Sequence, residues 1–330
     1  MVPMKFNTPS LARQSGAILL TVLIVMTMMI VLIATASSIM SNRISLAYEA
    51  KEQLSKKALV QSKINELTYL AATQRFTTAG LSTGQNTDKL VQSDGQWRFR
   101  TTGDELRIDG FEYSEAVDGK ERSKLSFVLQ SENGLIPLNT ASDFWLTQWL
   151  DGYNIAQSQR QKYIDTLHDY IDADSTPRAA GAERDSYQHV TMMDLPTNYF
   201  IQDCAELALM PHWRELAVEY PSLLQECSTE YLSSLNINAV PPALLKRLWP
   251  DKAGQILIKR SAGDWLNSIE DLSLIVNDLD LNNELLYRFA ANSSLIITVR
   301  FDGYTETRSV DFGVGLEKPF TLKVASVFAN

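Results

Sequence analysis

The sequence predicts an α+β protein in which one long N-terminal helix joins a small antiparallel sheet, and a large all-α domain is inserted between the two halves of that sheet. Three observations lead there. A charge-free apolar run opens the chain, strand-like alternation appears near residues 97–129 and again over 295–327, and a long helical stretch separates the two. An insertion accounts for strands on both sides of a helical segment, which two tandem domains would not.

The N-terminus comes first. Residues 1–16 carry Lys5 and Arg13 and no acid, and from Gln14 to Asn42 no side chain is charged. The centre, AILLTVLIVMTMMIVLIATA, meets the requirement of roughly 20 apolar residues for a helix crossing a bilayer core. Positive charge ahead of the run places the N-terminus in the cytoplasm and the bulk of the chain outside it. An uncleaved signal anchor is the plain alternative; a secretory signal peptide has a shorter apolar core followed by a small-residue cleavage site. From Ser45 to about Ala72 the pattern stays helical, with Leu46, Leu54, Ala58, Val60, Ile64, Leu67 and Leu70 on an apolar stripe. No proline interrupts it, so one helix is expected to run from the membrane onto the soluble part, with Gly80 and Gly84 marking its end.

Strands are expected at Trp97–Thr101, Leu106–Asp109 and Leu125–Leu129, with turns at Gly103-Asp104, Asp109-Gly110 and Asp118-Gly119. Strand character returns at Leu295–Phe301, Glu306–Phe312 and Phe320–Val327, and Asp302-Gly303 is a hairpin signal. Between them, Leu138 to Arg288 reads as helical with a faint repeat. Leu138-Asn139-Thr140-Ala141 opens one unit and Leu235-Asn236-Ile237-Asn238-Ala239 the other, each with an asparagine in a capping context. Trp145, Trp149, Trp213, Trp249 and Trp265 fall at helical positions expected to be core.

The second unit resembles a helix-hairpin-helix (SAM-like) module, which raises nucleic acid as a partner. Its hairpin argues against that. Pro250 removes an N–H donor, and Asp251 puts negative charge where a phosphate would sit. The net charge of -9 also opposes a broad phosphate-binding surface, so no nucleic-acid partner is expected despite Lys246, Arg247, Lys259 and Arg260.

No enzyme motif stands out. His168, His189 and His212 lack paired metal-ligand spacing, and no nucleophile elbow, phosphate loop or dinucleotide fingerprint occurs. Cys204 and Cys227 would be buried thiols in a reducing compartment; outside the cytoplasm a disulfide between them is expected. The stretch from Asp169 to Asp185 gathers Asp172, Asp174, Glu183 and Asp185 around a Pro/Gly turn. Calcium takes six to eight oxygens, and such a loop can wrap one ion. A solvated turn with Arg178 and Arg184 pairing locally is the competing account.

Two groups of residues carry a family resemblance. Arg13-Gln14-Ser15-Gly16-Ala17 before the apolar run resembles the leader of type IV prepilins and type II secretion pseudopilins. That resemblance implies a 1–16 leader, cleavage by a prepilin peptidase between Gly16 and Ala17, and N-methylation of Ala17. Most such proteins carry glutamate at the fifth mature position; here it is Thr21. D-x-I-D-A-D followed by P-R-x-x-G-A-E, over residues 169–183, is similar to the minor pseudopilin K family of type II secretion. The likeness covers essentially the whole chain. It implies a pilin-like fold: helix 17–80 (transmembrane over about 17–40), β region 81–137, inserted α domain 138–288 and β region 289–330. It implies calcium at Asp172, Asp174, Glu183 and Asp185. The implied partners are other minor pseudopilins, the major pseudopilin and the inner-membrane secretion platform, with the bulk of the chain periplasmic. A minor pilin of a type IV pilus is the alternative from the leader alone.

Overall fold

The computed structural model describes residues 15–84, 90–93, 96–99, 101, 103–117, 120–187, 194–277, 279–281, 283–290, 294–313 and 320–329. By compactness the chain divides into residues 1–58 and 59–330. Helix α1 spans Ser15–Thr73. Its side chains from Ile18 to Leu54 are largely exposed, including Leu46 and Leu54, and Ala58 is exposed too. Burial starts at Val60 and continues through Ile64, Leu67 and Ala71, so the apolar stripe expected from Leu46 is a packing face only in its last turns. The helix stops at Thr73, ahead of Gly80 and Gly84. Gly80 is needed further on: its φ is +141°, and a Cβ there would lie 2.1 Å from the Leu106 carbonyl oxygen.

Strands β1 (Leu90–Ser93) and β2 (Gln96–Phe99) form a separate antiparallel pair. Strands β3 (Asp109–Val117) and β4 (Lys120–Ser131) precede the insert. Within it, β5 (Ile136–Pro137), α2 (Asp143–Asp151), α3 (Gln157–Ile171), α4 (Trp213–Glu219), β6 (Cys227–Ser228) and β7 (Leu235–Asn236) follow in order. Then come α5 (Pro242–Leu248), α6 (Ala253–Ser261), α7 (Ile269–Ser273) and β8 (Tyr287–Arg288), with six short 3-10 turns along the described chain. Strands β9 (Ser294–Phe301), β10 (Tyr304–Phe312) and β11 (Phe320–Ala329) close the sequence. The main sheet is antiparallel with order β11-β10-β9-β4-β3, so strands from before and after the insert share one sheet. Asp302 and Gly303 both have positive φ, 47° and 80°, as the β9–β10 hairpin requires.

Two expectations are corrected here. Leu106–Asp109 is not a strand; Leu106 makes an isolated bridge to Leu81. Asp109-Gly110 is not a turn but the start of β3, where Gly110 at φ +80° accompanies a register shift against β4. The Asp118-Gly119 turn lies outside the described residues.

One face of the sheet packs Phe127, Leu129, Ile297 and Val299 against the end of α1. The insert has its own core, in which Trp145, Trp149 and Trp213 are fully buried and Trp249 nearly so; Trp265 is also nearly buried, but outside that cluster, with the Arg107 guanidinium over its ring. The insert is helical with two further pairings: β5 with β6 and β7 with β8, both parallel and two residues long.

These short pairs reveal what the repeat is. Asn139 follows β5 by two positions; its side chain accepts from the Ile201 N–H (2.7 Å) and donates to the carbonyls of Ile201 and Thr229 (both 3.0 Å). Asn238 follows β7 by two positions, accepts from the Leu266 N–H (3.2 Å) and donates to the carbonyls of Leu266 (2.7 Å) and Phe289 (3.0 Å). Thr229 and Phe289 each come directly after the partner strand. Asn236 caps the short 3-10 turn Ile237–Ala239, accepting from the Asn238 N–H at 3.1 Å, as the capping context predicted, but Asn139 and Asn238 cap neither α2 nor α5. Ser142 caps α2, and each asparagine clamps a distant loop to its strand pair.

A buried ion pair ties the sheet to the insert. Arg260 on α6 reaches Asp109 at the head of β3 (3.0 Å), and Arg107 also contacts Asp109. Burial pushes the Arg260 guanidinium down to about 10, against the pull of Asp109, so it stays charged at neutral pH.

Candidate functional site

At the N-terminus, Gly16 and Ala17 lie in the first turn of α1, and residues 1–14 are outside the described set. One helix of the described residues, Ile18–Thr73, is long and apolar enough to cross a membrane, and its most apolar window is not buried in the protein at all. Thr21 sits in this window. Its hydroxyl donates to the Ile18 carbonyl at 3.0 Å, and Thr27 and Thr35 make the same kind of bond. A hydroxyl closed on its own helix can sit in lipid without a partner; a carboxylate at that position cannot.

The acidic loop is built from α3 outward. Asp165 and Asp169, four residues apart and both buried, receive backbone N–H groups from the loop. Ala180 donates to Asp165 (3.0 Å) and Arg178 to Asp169 (3.1 Å). Gly181 passes so close that a Cβ would fall 1.8 Å from an Asp169 oxygen. This fold-back returns Glu183 to Asp172 and Asp174, and one carboxylate oxygen from each of the three lies within 4.8 Å of the others.

Crowding of like charges shows in the protonation equilibria. Burial, then Asp174 and Asp169, hold the Asp172 carboxyl above its ordinary range; burial, then Asp169, Asp172 and Asp174, do the same for Glu183. Asp172 Oδ1 and Glu183 Oε1 are buried without a hydrogen-bond partner. Arg178 relieves part of the charge, 3.4 Å from Asp169 and 3.7 Å from Asp172, while Arg184 turns away to Asp194. Asp185 is exposed and is not one of the three converging carboxylates. Asn198 is a participant that sequence reasoning missed. Its Nδ2 donates to the Asp174 carbonyl at 2.6 Å, and its Oδ1 is buried without a partner. The Asp165-x3-Asp169 spacing on one face of α3, with Asp172 just past its end, was a usable signal for the support beneath the loop; nothing local marked Asn198.

Cys204 and Cys227 are joined in a disulfide with Cα atoms 6.2 Å apart. His168 meets Asp143 at 3.0 Å and His212 packs against the Tyr163 ring, while His189 is outside the described residues. In the helix-hairpin-helix unit, α5 and α6 flank the Trp249–Lys252 hairpin as expected. Three of its four cations are bound within the chain: Arg247 to Glu226, Lys259 to Asp264, and Arg260 to Asp109.

Comparison with known proteins agrees with this geometry. Residues 128–220 match the sequence model of the family described as type II secretion system (T2SS), protein K. No curated protein matches the sequence. Among solved structures, the chain is similar to a chain in the crystal structure of the GspK-GspI-GspJ complex from the enterotoxigenic Escherichia coli type 2 secretion system. The TM-score is 0.53 at 12% identity, covering 85% of this chain and 99% of that one, a likeness of fold. The family match spans the end of β4, the first half of the repeat and the whole acidic loop, less than a third of the chain, and the structural likeness is one of α+β, pilin-like fold.

Proposed function

We propose that this subunit initiates a short pseudopilus and remains at its tip, supporting export of folded proteins across an outer membrane. It would be anchored in the inner membrane by α1, with the leader removed between Gly16 and Ala17 and Ala17 N-methylated. The observation that carries the tip position is Thr21. A glutamate there is the family's means of pairing with the terminal amine of a neighbouring subunit, and a hydroxyl already bonded to Ile18 offers no such anion. By the likeness to a GspK-GspI-GspJ complex, two other minor pseudopilins are the first partners. Association of the apolar helices would rest on packing in lipid, since apolar tails provide no hydrophobic drive between them.

Within the same reading, the acidic loop holds calcium. Asp172, Asp174 and Glu183 are the carboxylate ligands. The two orphaned buried oxygens and the raised carboxyl equilibria support a divalent cation, which would offset the mutual repulsion. Co-purification of the full-length chain with the other minor subunits, in calcium and in chelator, tests both. Loss of the complex on adding Thr21→Glu, with mass spectrometry showing Ala17 as the methylated terminus, is the expected result. Intact Met1 in cells holding the peptidase would sink the assembly reading.

A further inference from the structure

Away from the acidic loop, a cleft of about 580 Å³ opens between the sheet and the insert. The sheet side is Ile296, Thr307 and Ser309, and the insert side includes the Cys204–Cys227 disulfide. Phe200 and Tyr231 border it; their rings meet at 82° with centroids 5.1 Å apart, so two differently oriented ring faces edge one opening. Tyr231 is 66% exposed, so its ring is open to a ligand on the side away from Phe200. Asp203 and Glu132 add two carboxylates to the lining. Among the described residues no lysine or arginine lines the cleft.

A second observation points inward. Ser228, only 5% exposed, lines the cleft with its hydroxyl buried and without a hydrogen-bond partner. A buried hydroxyl costs stability when left unpaired, and a polar group entering the cleft would meet this one.

We propose that this cleft receives a cationic side chain, an arginine or lysine carried on an extended segment of a partner protein. Ring faces attract a cation through their quadrupole, and carboxylates in a cleft focus a negative field that draws it in. Arginine also brings several N–H donors on one planar group, suited to a lining that offers both carboxylate and hydroxyl acceptors. A neutral sugar would use the rings and amides but gain nothing from the two negative charges, and an anionic ligand would be repelled.

The test uses the full-length chain in polyoxyethylene micelles, with saturation-transfer NMR reading the bound probe. The probes are the acetylated, amidated peptide Gly-Arg-Gly-Arg-Gly, its citrulline counterpart of nearly the same shape without charge, and cellobiose. The arginine peptide is expected to bind about tenfold more tightly than the citrulline peptide and to weaken with salt. Asp203 caps the Cys204–Leu209 turn by accepting from the Ala205 N–H (2.8 Å), a bond asparagine can keep; Asp203→Asn, and Tyr231→Ala at an exposed position, should each weaken arginine-peptide binding several-fold, with circular dichroism unchanged. Equal binding of both peptides, binding of cellobiose alone, no binding, or indifference to both substitutions would overturn the proposal. The titration involves the chain alone, so its outcome is separate from that of the assembly experiment.

Discussion

The sheet and the insert must both pair their buried backbone groups, and they do so by different means. In the sheet the ladders suffice. β10 runs continuously against β9 over eight residue pairs, and its core is aliphatic, with Leu129, Ile297 and Val299 fully buried. In the insert the helices are short and the strand pairs only two residues long, so long loops are left with unpaired N–H and C=O groups. Buried polar side chains take over. Asn139 and Asn238 each clamp one loop to a strand pair, and Glu226 accepts from Trp149 Nε1 (2.9 Å), Tyr153 (2.8 Å) and Arg247 (2.7 Å). A region poor in regular structure is held by a few polar hubs, each with more to lose than an aliphatic core residue.

The comparison breaks most readily at the hub with three donors. Glu226→Ala should destabilise by about 4 kcal/mol, because it strands a guanidinium and two aromatic donors. Ile297→Ala in the sheet should cost about 3 kcal/mol as an ordinary cavity. Denaturant titration compares the two, and hydrogen exchange should show added opening in the insert for the first only. Reducing the Cys204–Cys227 bridge, which spans 23 residues, should cost about 3 kcal/mol by freeing the unfolded chain; a thermal midpoint unmoved by reductant would show that the hubs alone hold the insert.

Asn139→Ala and Asn238→Ala should each cost about 2 kcal/mol, and by similar amounts, since each leaves one N–H and two carbonyls unpaired. A large inequality would mean that the two units are equivalent in geometry but not in energy.

The smallest effect concerns the acidic loop. Asp172 and Glu183 are held above their ordinary range, so the folded chain binds protons that the unfolded chain has released. Their contribution is therefore fully present below the unfolded carboxyl range and is lost as pH rises through the raised one. On the proposed calcium reading, the thermal stabilisation given by added calcium should grow over that same interval. Asp172→Asn should raise the melting temperature in chelator and remove most of the calcium-induced rise; a calcium response unchanged by the substitution would remove this carboxylate from the site.

Much of the fold was legible locally. The apolar run, the Asp302-Gly303 hairpin and the five insert tryptophans follow from hydropathy, φ preference and side-chain size. The acidic loop was visible as a cluster, but not the way it closes, which depends on Asp165 and Asp169 accepting backbone N–H groups and on the space only Gly181 leaves. Leu106–Asp109 looked like a strand because alternation cannot distinguish a bridge and a bulge from a ladder.

The apolar run with its flanking charge, the short-range helix and turn signals, and the insertion of helical sequence between strands were determined by the sequence by itself, because each depends on neighbours a few residues apart. Tertiary structure alone decided that Asn139 and Asn238 are clamps, since their partners lie 28 to 90 residues away. It likewise decided that Arg260 belongs to Asp109, 151 residues distant, and that Asn198 stands beside Asp174. Hydrogen bonds of that reach carry no periodicity, and only the packed chain brings their two ends together.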